Sequence, residues 1–305
     1  GRVSMASLGL VLLCLSLVAS LSLSTRPAFS PLSPLSLSTQ PLSRLTMMMS
    51  SGSSGGSVMV HGVEDRAAEM KAAAASETPF SEAELDSAVK SLQNVAGPYC
   101  HSVDWAAYRL LLSLSAHTTH KDWERTDREA QALSAILGTP SSPPFRHMFR
   151  RVLGDGNWDG AVRAAANREG APWVVLVTGL NGIRKTSSVL QPWFRDCLHE
   201  ALTLSEGAAT LAASLPDGTS SFFRQLDYMI ATLANEEFRT LYRVGEGEVA
   251  QYSALKDAIF SRYRKLAETL GVLLVREART GGLGVFVETS GRDIAMYEYV
   301  NHCFG

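Results

Sequence analysis

Lys185 is followed by three hydroxyl side chains, Thr186, Ser187 and Ser188, and is preceded by a stretch holding Gly179, Asn181, Gly182 and Arg184. That order of residue types is the outline of a phosphate-binding loop. Backbone amides surround a polyphosphate, the lysine reaches its outer oxygens, and a hydroxyl joins the shell of a Mg2+ ion. The pattern G-x-x-x-x-G-K-[ST] is met at Gly179, Lys185 and Thr186, and it fails at its sixth position, where Arg184 stands in place of glycine. Arginine with positive φ costs on the order of 1–2 kcal/mol. With helical dihedrals it keeps its amide available and adds a second cation. The plain alternative is a strand followed by a capped helix with no ligand.

Two strands would have to position this chemistry. Trp173, Val174, Val175, Leu176, Val177 and Thr178 form an apolar, β-branched run that reads as a buried parallel strand leading into the loop. A second β-rich run, Val285, Phe286 and Val287, ends in Glu288, Thr289, Ser290, Gly291, Arg292 and Asp293. Ligand groups collect at the carboxyl ends of strands in open α/β sheets. If the two strands are parallel neighbours, Glu288 approaches the Mg2+ and Arg292 a phosphate. The other reading of Glu288 and Asp293 is helix capping at the strand-to-helix turn.

The segments between them read as helical. A helix should start at Lys185, with Pro192 forcing a kink or a restart near Trp193. Ser220 and Ser221 are predicted to cap a helix whose apolar face is Phe222, Phe223, Leu226, Met229, Ile230 and Leu233. That helix carries Arg224 and Asp227 three residues apart. At that spacing the two read as a helix-surface pair worth about 0.2–0.5 kcal/mol. A long helix over 251–279 follows, and the glycines at 281, 282 and 284 end it.

On these motifs the region 173–293 resembles the P-loop kinases of the zeta-toxin type. The opening Thr178, Gly179, Leu180, Asn181, Gly182 is also similar to that of adenylylsulfate kinases, which belong to the same broad group. The resemblance implies an α/β P-loop NTPase-like domain with a parallel sheet, binding ATP and Mg2+. It implies that Lys185 holds the outer phosphates, that Thr186 and Glu288 serve the metal, and that Asp227 is the base. Arg184 departs from the family pattern. Such sheets have about five parallel strands and a lid, so the two readable strands predict a domain incomplete at the C-terminus. The competing idea is a complete helical protein with a small sheet.

The whole chain has 305 residues and a net charge of −2, which gives no general signal for nucleic-acid binding. The charge is unevenly spread. Residues 1–63 hold no acid and three arginines, leaving 25 of the 28 basic residues against all 30 acids in the rest. An apolar run of about a dozen residues from Leu8 is too short to span a membrane and suits the core of a secretory signal. The Ser- and Pro-rich stretch after it has the composition of a transit peptide. With Phe29 just after Ala28, this leader resembles the two-part leaders of plastid proteins in organisms with secondary plastids. It predicts plastid import and no stable membrane insertion once removed, the alternative being a secreted or anchored protein with a stalk. Cys14, Cys100, Cys197 and Cys303 show no metal or disulfide spacing.

Residues 64–170 read as a helical region. Ser81 with Glu84 forms a capping box, Asp104 caps a second helix, and a third covers 121–137. Two shorter helices are predicted over 145–153 and 158–168. His101, His117, His120 and His147 lack a metal-binding set, and Arg146, Arg150 and Arg151 form a basic cluster suited to solvent or to an anion. The expected organisation is therefore a leader over 1–63, a helical region over 64–170 and a P-loop NTPase-like domain over 171–305. Three functions are compatible with it: an ATP-dependent phosphotransferase on a small molecule, a nucleotide-binding protein without turnover, and a helical interaction scaffold with a vestigial loop. The residues leave the acceptor and the oligomeric state open.

Overall fold

The computed structural model describes residues 9–14, 62–119, 121–153, 156–168, 172–179, 185–203, 215–244, 249–289 and 294–304, with 9–14, 151–153, 185–186 and 201–203 as backbone alone. The leader expectations, apart from the backbone of 9–14, and the expectation for His120 lie outside the described residues.

The chain is mostly helical around a small parallel sheet. Helix α1 (Val63–Ala75) carries Glu64 and Asp65 in its first turn, where they complement the positive helix end. Helix α2 (Glu82–Ala96) opens with the expected capping box: the Glu84 amide donates to Ser81 Oγ at 3.3 Å, and the Ser81 amide donates to Glu84 Oε2 at 2.8 Å. Asp104 and Asp122 cap α3 (Trp105–Ser115) and α4 (Trp123–Leu137) through the amides of Ala107 and Arg125. Helices α5 (Pro143–Leu153) and α6 (Trp158–Ala166) complete the helical region.

The strands are β1 (Gly9–Cys14), β2 (Trp173–Thr178), β3 (Ser221–Arg224) and β4 (Gly284–Thr289), all parallel, in the order β1-β2-β4-β3. After β2 come a single turn α7 (Lys185–Ser188) and α8 (Pro192–Thr203). Pro192 opens α8 instead of kinking a continuous helix, because the first helical position needs no amide donor. After β3 come α9 (Leu226–Leu233), α10 (Asn235–Val244) and α11 (Val249–Thr280), and β4 leads to α12 (Ala295–Phe304).

One expectation is corrected here. Ser221, Phe222, Phe223 and Arg224 form a buried strand, not the start of a helix. The side chain of Asn157 directs the turn before it, donating to the carbonyls of Thr219 at 3.0 Å and Ser221 at 3.1 Å. The helix then begins only at Leu226.

Both faces of the sheet are covered, which is why β2 is buried at all six positions. Val174, Leu176, Phe222, Val285 and Val287 join a cluster shared with the helices. On the opposite face Phe286 stacks on Phe223 at 5.1 Å and meets Phe194 of α8 at 5.8 Å. Helix α11, 32 residues and so about 48 Å long, is buried without interruption from Lys265 to Val275. It stops where Gly282 takes φ 63° and Leu283 donates to the Ala278 carbonyl at 2.8 Å. All the described residues, 9–14 and those between 62 and 304, belong to one compact unit. Among the described residues no helix is long and apolar enough to cross a membrane.

Candidate functional site

The two strands read from the sequence are parallel neighbours, with Val177 beside Glu288 and Thr178 beside Thr289. Their polar carboxyl ends therefore lie one strand spacing apart, about 4.8 Å. The third strand adds to the same edge. Arg224 at the end of β3 is in register with Val287, and Asp227 follows in the first turn of α9. Three segments far apart in sequence thus bring Gly179, Asp227 and Glu288 to one end of the sheet.

Gly179 leaves β2 with φ 152°, a backbone conformation that side-chain-bearing residues rarely adopt, so the turn out of the strand depends on glycine there. Glu288 is half-buried, while Asp227 and Ser187 are exposed. Lys185 and Thr186 begin the one-turn helix α7. Asn181, Gly182, Arg184 and Arg292 lie outside the described residues. The turn after α7 is held by the Gln191 amide, which donates to the Ser188 carbonyl at 3.0 Å. Among the described residues no three His, Cys, Asp or Glu side chains come together as a metal-binding group.

Arg224 is where the structure departs most from the sequence reading. It is not the exposed partner of Asp227 on a helix. It sits on β3 with its side chain sealed from solvent, in an ion pair with Glu268 of α11. Its guanidinium carbon also lies 4.7 Å from the centre of the Tyr299 ring. A glycine at position 271 leaves room for it, since a Cβ there would come within 2.9 Å of Arg224 Nε. Burial pushes the neighbouring Cys303 thiol up to about 11, an effect offset in part by the charge of Arg224. The signal in the sequence was Gly271, in the middle of a predicted helix, where glycine costs about 1 kcal/mol relative to alanine and so marks a packing constraint.

A hollow lies beside β3, with Gln225 and Tyr228, on either side of Asp227 in sequence, in its lining. Phe145, Phe149, Trp158, Phe222, Met229 and Leu274 are among its lining residues. It was not legible from the sequence, because its lining combines three separated stretches, 140–158, 222–229 and Leu274.

No family of known proteins, no curated protein and no solved structure matches this chain.

Proposed function

We propose that this is a nucleotide-binding protein of the P-loop class, acting as an ATP- and Mg2+-dependent phosphotransferase on a small molecule. The observation that carries the reading is the pairing of Thr178 with Thr289 and of Val177 with Glu288 at the carboxyl edge of a parallel sheet. Six residues, 179–184, then connect β2 to the helix starting at Lys185, the spacing that a phosphate-binding loop needs. In this reading Lys185, with Arg184, holds the outer phosphates, and the amides from Gly179 through Gly182 and the hydroxyl of Ser187 line the anion. Thr186 and Glu288 serve the metal. Phosphoryl transfer asks the protein mainly for positioning and charge, plus a carboxylate base to take the acceptor proton. Asp227 would be that base, and Arg292 would stabilise the charge on the transferred group.

One observation favours a second reading, in which the nucleotide is held without turnover. Helix α7 is a single turn, so its dipole offers less to a phosphate than a longer helix would. The acid-free leader supports a plastid location, with the secretory pathway as the other destination.

The test is a thermal-shift series of the whole chain with and without Mg-ATP, run beside Lys185→Ala. A nucleotide at 100 times its Kd should stabilise by about 2.7 kcal/mol. A shift present in the parent and lost in Lys185→Ala supports the site, and measured transfer of phosphate then separates the two readings. Identical melting with and without Mg-ATP removes both.

A further inference from the structure

We propose that helix α1 is a hinged strap, which swings about Glu77 as one unit while the rest of the fold stays closed, and so bares the Glu237 carboxylate and the Tyr263 hydroxyl to water. Of its 13 residues only Ala67 and Met70 are buried, and Gly62 before it gives no side-chain cap. Small side chains let it lie close along α11. An alanine buries little apolar area, however, so Met70 supplies most of the hydrophobic hold. Two ion pairs supplement it: Arg66 with Glu237 of α10 at 2.5 Å, and Lys71 with Asp257 of α11 at 2.6 Å. Lys71 and Asp257 are both open to solvent, so their pair adds little.

The hinge lies where firm anchoring begins. Arg262 of α11 donates to the carbonyls of Thr78 at 2.6 Å and Pro79 at 3.0 Å, which fixes the chain from Thr78 onward. Immediately before it, Glu77 takes φ 51°, a left-handed conformation that strains any residue with a side chain. Release of α1 lets that strain relax. The closed form carries a second penalty beneath the helix. Glu237 Oε1 accepts from Arg66 and, at 3.2 Å, from Ser87 Oγ, whereas Oε2 is buried with no hydrogen-bond partner among the described residues. The Tyr263 hydroxyl is buried and unpartnered in the same way. It faces the same pair: burial first, and the Glu237 charge next, hold its phenol above the ordinary value, with the charge of Arg66 opposing. Two sealed polar atoms without partners favour a motion that admits water.

The test is hydrogen exchange of the whole chain read by mass spectrometry, comparing the amides of α1 with those of the buried stretch 265–275 of α11. The expected result is exchange of α1 at least about 100-fold faster than that stretch, after correction for intrinsic rates, and nearly unchanged by low urea, because a local opening exposes little surface. Arg66→Gln should speed α1 by about threefold or more and leave α11 as it was. Met70→Ala should do the same to a greater extent, and it decides the matter if Arg66→Gln fails to fold. Exchange of α1 in step with α11, or variants that speed both elements equally, overturns the proposal.

Discussion

Arg224 on β3 and Glu268 on α11 face each other at 1% and 0% side-chain exposure, an ion pair between a strand end and the middle of a helix. Removing both charges from water is costly, and their attraction repays that only while both are present. Arg224→Met should therefore lose about 3–5 kcal/mol, because Glu268 stays buried and charged, its remaining cation among the described residues being Arg264 Nη2 at 3.7 Å. The double variant Arg224→Met with Glu268→Leu should recover most of that loss. Urea denaturation of the two single variants and the double variant measures the coupling.

Gly271→Ala should destabilise, against the usual helix preference. Alanine is favoured by about 1 kcal/mol inside a helix, but here its methyl would press on Arg224 Nε at 2.9 Å. Because Arg224 is fixed by Glu268 and by the Tyr299 ring, it cannot step aside. A fall in melting temperature for Gly271→Ala, absent when Arg224→Met is already in place, identifies the clash as the cause.

Much of this fold was legible in the sequence. The bounds of β2 follow from its unbroken apolar run, and the starts of α2 and α3 follow from Ser81 and Asp104, whereas the third helix was expected over 121–137 and begins at Trp123, capped by Asp122. The neighbouring of β2 and β4 followed only conditionally, since periodicity carries no pairing information. β3 was hidden because a four-residue strand buried at every position shows no alternation, and its phenylalanines continue the helical spacing of Leu226 and Met229. The Arg224 pair was hidden for the same reason: a charged side chain three residues from an opposite charge reads as surface.

Arg262 of α11 fixes the start of α2 and makes stability depend on acid. Its Nε and Nη2 donate to the Glu84 carboxylate at 2.7 and 2.9 Å, and its Nη1 donates to the Thr78 carbonyl at 2.6 Å. Burial pushes the Glu84 carboxyl up, but hydrogen bonds from Arg262 and the Ser81 amide together bring it below its ordinary value. The ionised form therefore stabilises the fold above the unfolded-state value of about 4.3, and that contribution is lost as pH falls through the lower native value. Melting temperatures between pH 7 and pH 3 should fall more steeply in the parent than in Glu84→Gln.

In the proposed reaction Asp227→Asn should lower kcat by about 10^2–10^4-fold while the stabilisation by Mg-ATP persists. Glu288→Gln should instead weaken the dependence of that stabilisation on Mg2+. Thermal shifts measured across a Mg2+ series, set beside turnover, separate the two roles. A loss of nucleotide stabilisation in Asp227→Asn would count against its assignment as the base.

Helix α11 runs unbroken past α1 and α4 and then beneath β3 and β4. One continuous rod thus serves as a wall for both the helical region and the sheet, so neither half has a complete interior when produced separately. Heat should dismantle the two together in a single transition, and a shortened chain beginning near β2 would bare a long oily flank and precipitate.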